Sequence, residues 1–168
     1  MSRSRVTTIG LIIAVFLLTP FSHAMAETMK FRVVQSHSRV EIIKAGDVDG
    51  HIIGINDTPG LASLGTGEVA VTSQWGTFDY TKGAGIHRGY QRMTFEDGSI
   101  IDTKYEGNTK PDSEGKGSLW EGTFLITQGT GKYSGIQGEG SYTGRRVVIG
   151  VTVGAQGFAD FIMTYTLP

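Results

Sequence analysis

Glycine standing inside apolar runs is the feature that most constrains this chain. The sequence holds 25 glycines in 168 residues. Several of them, Gly89, Gly122, Gly138, Gly140 and Gly150, fall within stretches rich in β-branched and aromatic residues. Interior glycine weakens a strand, so it marks a bulge, a sharp bend or a close approach of backbones. Apolar positions show no sustained period near 3.6, which argues against long amphipathic helices. Short β-rich runs divided by turn residues fill the chain instead. The runs are Met29 to Gln35, Arg39 to Ile43, His51 to Ile55, Thr66 to Tyr80, Ile86 to Glu96 and Ser99 to Tyr105. Ser118 to Thr127, Gln137 to Thr143, Arg146 to Val153 and Gly157 to Leu167 complete the set. Gly46 to Gly50 and Asn56 to Gly60 read as turns, and Asn108 to Lys116 as a polar loop. A short helical turn is expected near the start or around Leu61 to Leu64. Many short strands and Gly-rich turns give an all-β fold, and the bends favour a closed barrel over a flat sandwich.

The first 26 residues read as a cleavable leader. Arg3 and Arg5 precede the apolar run Ile9 to Leu18, and Ala24-Met25-Ala26 puts small residues at −3 and −1 of a cleavage site. About ten apolar residues are too few to span a bilayer, which takes roughly 20. The expectation is therefore export, with a single domain over residues 27–168 and no stable membrane anchor. The leader holds two of the fifteen basic residues and none of the sixteen acidic ones, so the remainder is mildly acidic. That balance argues against nucleic-acid binding and against polybasic docking on anionic lipid. The chain has no cysteine, which excludes disulfides, thiolate metal sites and cysteine nucleophiles.

The most informative stretch is Ile126-Thr127-Gln128-Gly129-Thr130-Gly131-Lys132-Tyr133-Ser134-Gly135-Ile136-Gln137-Gly138. An apolar strand runs into Gly-x-Gly, an aromatic, a small residue and a further glycine entering the next strand. With the preceding Trp120-Glu121-Gly122-Thr123-Phe124-Leu125, it resembles the allene oxide cyclase and dirigent superfamily, and most of all its small exported bacterial members. The resemblance covers Ser118 to Thr143. It implies an eight-stranded antiparallel, calycin-like β-barrel with an apolar cavity, often trimeric. Gly129, Gly131, Tyr133, Gly135 and Gly138 then form a structural corner, with Tyr133 anchored against the core. No catalytic position of that superfamily aligns here, so none is carried over.

Other motifs fall away on inspection. Gly129-x-Gly131-Lys132 lacks the first glycine of a phosphate loop and has Tyr133 where Ser or Thr is required. Asp47-Val48-Asp49-Gly50 lacks the later ligands of a calcium loop and suits a turn. His37, His51 and His87 show no metal-ligand spacing, so no metal and no cofactor is expected. No Gly-x-Ser-x-Gly elbow supports a hydrolase.

Asp97-Gly98 between two β-rich runs is a strong hairpin signal. Read as a two-residue turn, it pairs Tyr90 with Tyr105 and Arg92 with Thr103 on one face, and puts His87 on the other. If the first face lines a cavity, Tyr90 and Tyr105 form an aromatic wall and Arg92 a polar anchor. Trp120 shares a face with Phe124 and Ile126, and Tyr142 lies beside that strand, so both join the candidate wall. Interior glycines leave room for a ligand or, the preferred reading, serve curvature.

Three roles follow. The first is a carrier of a small hydrophobic ligand. The second is a cofactor-free isomerase or cyclase acting on a reactive lipid or phenolic intermediate, with Tyr90, Arg92 and Tyr105 as polarising or stacking groups. The third is a structural oligomer of the envelope.

Overall fold

The computed structural model describes residues 25–147 and 150–168. The leader expected over residues 1–26 lies outside them apart from Met25 and Ala26. Among the described residues the elements are β1 (Glu27–Ser36), β2 (Arg39–Lys44), β3 (His51–Leu64), β4 (Val69–Thr81) and β5 (Ala84–Phe95). They continue with β6 (Ile100–Pro111), β7 (Ser118–Thr130), a 3-10 turn (Gly131–Tyr133), β8 (Gln137–Arg146) and β9 (Gln156–Thr166).

From β3 to β9 each strand pairs antiparallel with the next, and β1 closes the circuit between β9 and β3. β2 continues β1 along β3: β1 covers Gly60 to Leu64, and β2 covers Ile52 to Asp57. Three residues, Ser36 to Ser38, stand there against Thr58 and Pro59, so β1 and β2 behave as one strand with a bulge. The fold is a closed eight-stranded antiparallel barrel. Closure removes the exposed strand edges that an open sheet must protect.

Four local expectations give way. The loop expected over Asn108 to Lys116 begins only after Pro111, because β6 runs through Asn108 and pairs it on both sides. Asn56 to Gly60 is not a turn, and Leu61 to Leu64 is not helical, because β3 runs through both. Asn56 and Thr58 point inward and hydrogen-bond each other at 2.7 Å. Strand hydrogen bonding alternates in direction, and the Asp57 carbonyl accepts from the Ser38 amide. Pro59, two residues on, therefore faces the β1–β2 bulge, where a missing N–H breaks no ladder. The strand expected over Arg146 to Val153 ends at Arg146 among its described residues. Gly150 and Gly154 there take φ of +89° and +82°, which reverses the chain instead of extending it.

Inward side chains sort into two ends. Phe31, Val33, Leu64, Met93, Phe95 and Ile101 are buried at one end, with Phe95 packed on Tyr133 at 4.7 Å between ring centroids. Each such side chain stabilises the fold by roughly 1.5–3 kcal/mol. The other end is aromatic and polar, and its rings lie over glycines. A Cβ at Gly89 would stand 2.6 Å from the Tyr105 hydroxyl, and one at Gly107 the same distance from that of Tyr142. A Cβ at Gly144 would fall within the Trp120 indole. The room these glycines leave is thus filled by the barrel's own rings and backbone.

Candidate functional site

The polar end of the interior holds a cavity of about 50 Å³. His37, from the bulge, enters from one side. His87 on β5, Tyr105 and Thr109 on β6, Trp120 on β7, and Tyr142 and Arg146 on β8 line it too. Tyr142, Gly144 and Arg146 alternate along β8, so the period-2 rule places all three inside.

His87 sits within a hydrogen-bonded chain. Its Nε2 is 2.7 Å from the Tyr142 hydroxyl, and its Nδ1 is 2.9 Å from Thr109 Oγ1. Thr109 Oγ1 is in turn 2.9 Å from the Tyr80 hydroxyl. Burial, helped by the positive charge of Arg146, lowers the His87 pKa to about 4, so the imidazole is neutral near pH 7. Burial also raises the Tyr80, Tyr105 and Tyr142 hydroxyls, which stay protonated.

His37 forms a second polar group. Its Nδ1 lies 2.7 Å from Thr58 Oγ1, which also accepts from Asn56 Nδ2. Burial first, and Arg146 second, lower its pKa to about 4. His37 is 7% exposed, and its Nε2 has no hydrogen-bond partner among the described residues.

Arg146 is the charged centre. It is 7% exposed. Its Nη1 donates to the Gly150 carbonyl at 2.9 Å, and its guanidinium lies 5.4 Å from the Trp120 ring. Burial lowers its pKa, with Tyr80 opposing the drop, but a guanidinium remains charged in a protein. None of the described residues lining the cavity is Asp or Glu. Residues 1–24, 148 and 149 contain neither acid, so no segment outside the description supplies one.

The five candidate wall residues divide. Tyr105, Trp120 and Tyr142 come together in the cavity, with Tyr105 and Tyr142 edge-to-face at 6.2 Å. Tyr90 and Arg92 do not: they lie on the outer face, and Tyr90 is 56% exposed. The reason is register. The turn spans Glu96-Asp97-Gly98, with the Phe95 amide donating to the Ser99 carbonyl and Gly98 at φ +80°. That extra turn residue pairs Gly89, not Tyr90, with Tyr105, and it swings His87 inward. Arg92 instead makes a bidentate ion pair with Asp102, both contacts at 2.8 Å.

At the glycine corner, Gly131 and Gly135 take φ of +61° and +78°. Gly129 and Gly138 adopt ordinary angles and are needed for space, since a Cβ at Gly129 would meet the Tyr133 carbonyl. Tyr133 is buried. This corner borders the apolar end, away from the cavity. Of the histidines, His37 and His87 face the cavity, whereas His51 lies at the surface between Asp47 and Asp79.

Sequence reading missed His37, His87 and Arg146. Alternation from Tyr142 would have found Arg146. His87 needed the correct hairpin register, and His37 needed the bulge.

No protein-family model and no curated protein matches the sequence. Among solved structures, the chain is similar to the pterocarpan synthase dirigent protein GePTS1, with a TM-score of 0.47 and 13% identity over 96% of this chain and 100% of that one. It is also similar to the pterocarpan synthase dirigent protein PsPTS1, at 0.47 and 14%, over 88% of this chain and 99% of that one. The architecture assigned above stands on the closed strand circuit itself.

Proposed function

We propose that this barrel binds a small organic molecule through the polar end of its interior, and that it does so outside the cytoplasm. The observation that carries the reading is Arg146: a buried guanidinium with no carboxylate beside it. An uncompensated buried charge is costly, and such a group is retained where something else offsets it. Trp120, Phe78 and Phe161 supply apolar wall around it, so the ligand combines a hydrophobic body with a polar head. The cavity, about 50 Å³, takes only the head. Whole-ligand pockets run to roughly 300 Å³ or more. A lipid wholly enclosed in an apolar interior is therefore not the form of binding favoured. The test is native mass spectrometry on protein purified from its own host. A single-mass adduct, lost on mild activation and absent from Arg146→Gln, supports the reading. A clean apo spectrum, together with no binding in a small-molecule screen, overturns it.

A catalytic reading of the isomerase or cyclase kind draws on the chain from Tyr142 through His87 and Thr109 to Tyr80. A neutral imidazole between two hydroxyls can accept a proton on one side and release one on the other. Loss of turnover in His87→Gln, with ligand affinity retained, would favour it.

A further inference from the structure

We propose that the head group taken by this cavity is a carboxylate, held jointly by the Arg146 guanidinium and the Nε2–H of His37. This rests on the small-molecule reading above and narrows it to one ligand class.

The first argument is charge. Arg146 is the only charged side chain among the described residues lining the cavity. His37 and His87 are neutral, and the tyrosine hydroxyls keep their protons. One uncompensated positive charge is offset by one negative charge. A dianion such as a phosphate monoester would overcompensate, a cation would be repelled, and a neutral ligand would leave the charge unpaired. Arg146 spends Nη1 on the Gly150 carbonyl and lies against the Trp120 ring. It also reaches the Tyr80 hydroxyl, but a guanidinium carries five N–H donors, so donors remain for a carboxylate.

The second argument is independent of Arg146. His37 is more than nine-tenths buried, lines the cavity, and has no partner for Nε2 among the described residues. The tautomer follows from the neighbours. Asn56 Nδ2 donates to Thr58 Oγ1, which leaves the Thr58 hydroxyl proton free to go to His37 Nδ1. Asn56 Nδ2 also stands 3.5 Å from that same Nδ1. With Nδ1 surrounded by donors, the single imidazole proton sits on Nε2. A buried, unanswered N–H is costly. It asks for an acceptor, and a carboxylate supplies one oxygen to it and another to Arg146. The space available, about 50 Å³, suits a group of that size.

The experiment is isothermal titration calorimetry on the purified protein with sodium acetate and sodium benzoate, and with acetamide and benzamide as neutral isosteres. The expected result is saturable binding of at least one carboxylate, ten-fold or more tighter than its amide. Arg146→Gln should lose ten-fold or more. His37→Phe should lose a comparable factor, and His37→Gln, whose amide nitrogen occupies nearly the place of Nε2, should recover most of it. Should Arg146→Gln fail to fold, nitrogen NMR of the unmodified protein serves: benzoate should shift His37 Nε2 and the Arg146 guanidinium at saturation. Equal binding of benzamide and benzoate would overturn the carboxylate assignment and leave small-molecule binding standing. Absence of binding by all four probes, with a neutral adduct in native mass spectrometry, would do the same. Absence of both binding and adduct, with ordered water bridging His37 and Arg146, would overturn both readings.

Discussion

A side chain's worth in this barrel depends on which ring or carbonyl its Cβ faces. Gly144 is the sharpest case, since the three nearest atoms a Cβ there would meet all belong to the Trp120 indole. Gly144→Ala should cost about 2–3 kcal/mol by overpacking. Because the obstruction is one side chain, most of that cost should vanish in a Trp120→Leu background, and a double-mutant cycle by urea denaturation reads the coupling. Additive losses would show that position 144 is constrained by backbone instead. Tyr90 and Arg92 behave in the opposite way. Tyr90→Ala should change stability by less than about 0.5 kcal/mol, as exposed positions do. Arg92→Ala should cost at most about 1 kcal/mol, the range of a partly exposed ion pair. Neither should alter benzoate affinity, and a ten-fold loss in either variant would return the outer face to the site. The sequence favoured a structural role for the interior glycines over room for a ligand. It did not show which ring each one accommodates, because that pairing crosses strands far apart in the chain.

Register decides what each element presents. Most strands were legible from composition and turn residues, and so was the Asp97-Gly98 hairpin. The length of its turn was not. Glu96 joins the turn and Gly98 takes positive φ, which shifts each β5 residue's partner on β6 by one and puts Gly89 and His87, not Tyr90, on the face of Tyr105. Gly98→Ala should therefore cost about 1 kcal/mol through the unfavourable φ while leaving ligand affinity unchanged. Asn56 to Gly60 misled for a different reason: its turn-forming side chains are consumed by bonds to one another and to His37, a contact no local pattern reveals. The β2–β3 hairpin carries its own tether. His51 bridges Asp47 in the turn and Asp79 on β4, and its bond to Asp47, then that to Asp79, raises its pKa. A raised histidine pKa stabilises the fold fully below the unfolded value and less as pH rises through the folded one. His51→Gln should therefore cost more at pH 6 than at pH 8.5 in urea denaturation. An equal cost at both would mean that the bridges do not depend on charge.

At the scale of the whole barrel, one end is closed by apolar packing, and the other buries two imidazoles and a guanidinium. This division sets the response to acid. His37 and His87 have an ordinary pKa of 6.5 and a folded one of about 4, so the unfolded chain binds more protons between those values. Stability is complete above about pH 6.5 and falls as pH drops toward 4, by on the order of 3 kcal/mol per histidine. The aspartates with lowered pKa do not produce that slope. Asp47, Asp97, Asp112 and Asp160 have pKa values below 3.8, so their contributions are lost at lower pH. His51, raised, strengthens its contacts as pH falls through its folded pKa, which acts in the opposite direction. Urea denaturation at pH 7 and pH 4.5 should therefore differ by several kcal/mol, and the His37→Gln, His87→Gln double variant should flatten the difference. A bound carboxylate bears on the same balance, because it offsets the Arg146 charge that helps keep both imidazoles neutral. Saturating benzoate should raise both histidine pKa values in an NMR titration and shift the acid transition to lower pH. If benzoate stabilises equally at pH 7 and pH 4.5 with both histidine titrations unmoved, the anion does not sit among these three groups, and the carboxylate site fails with it.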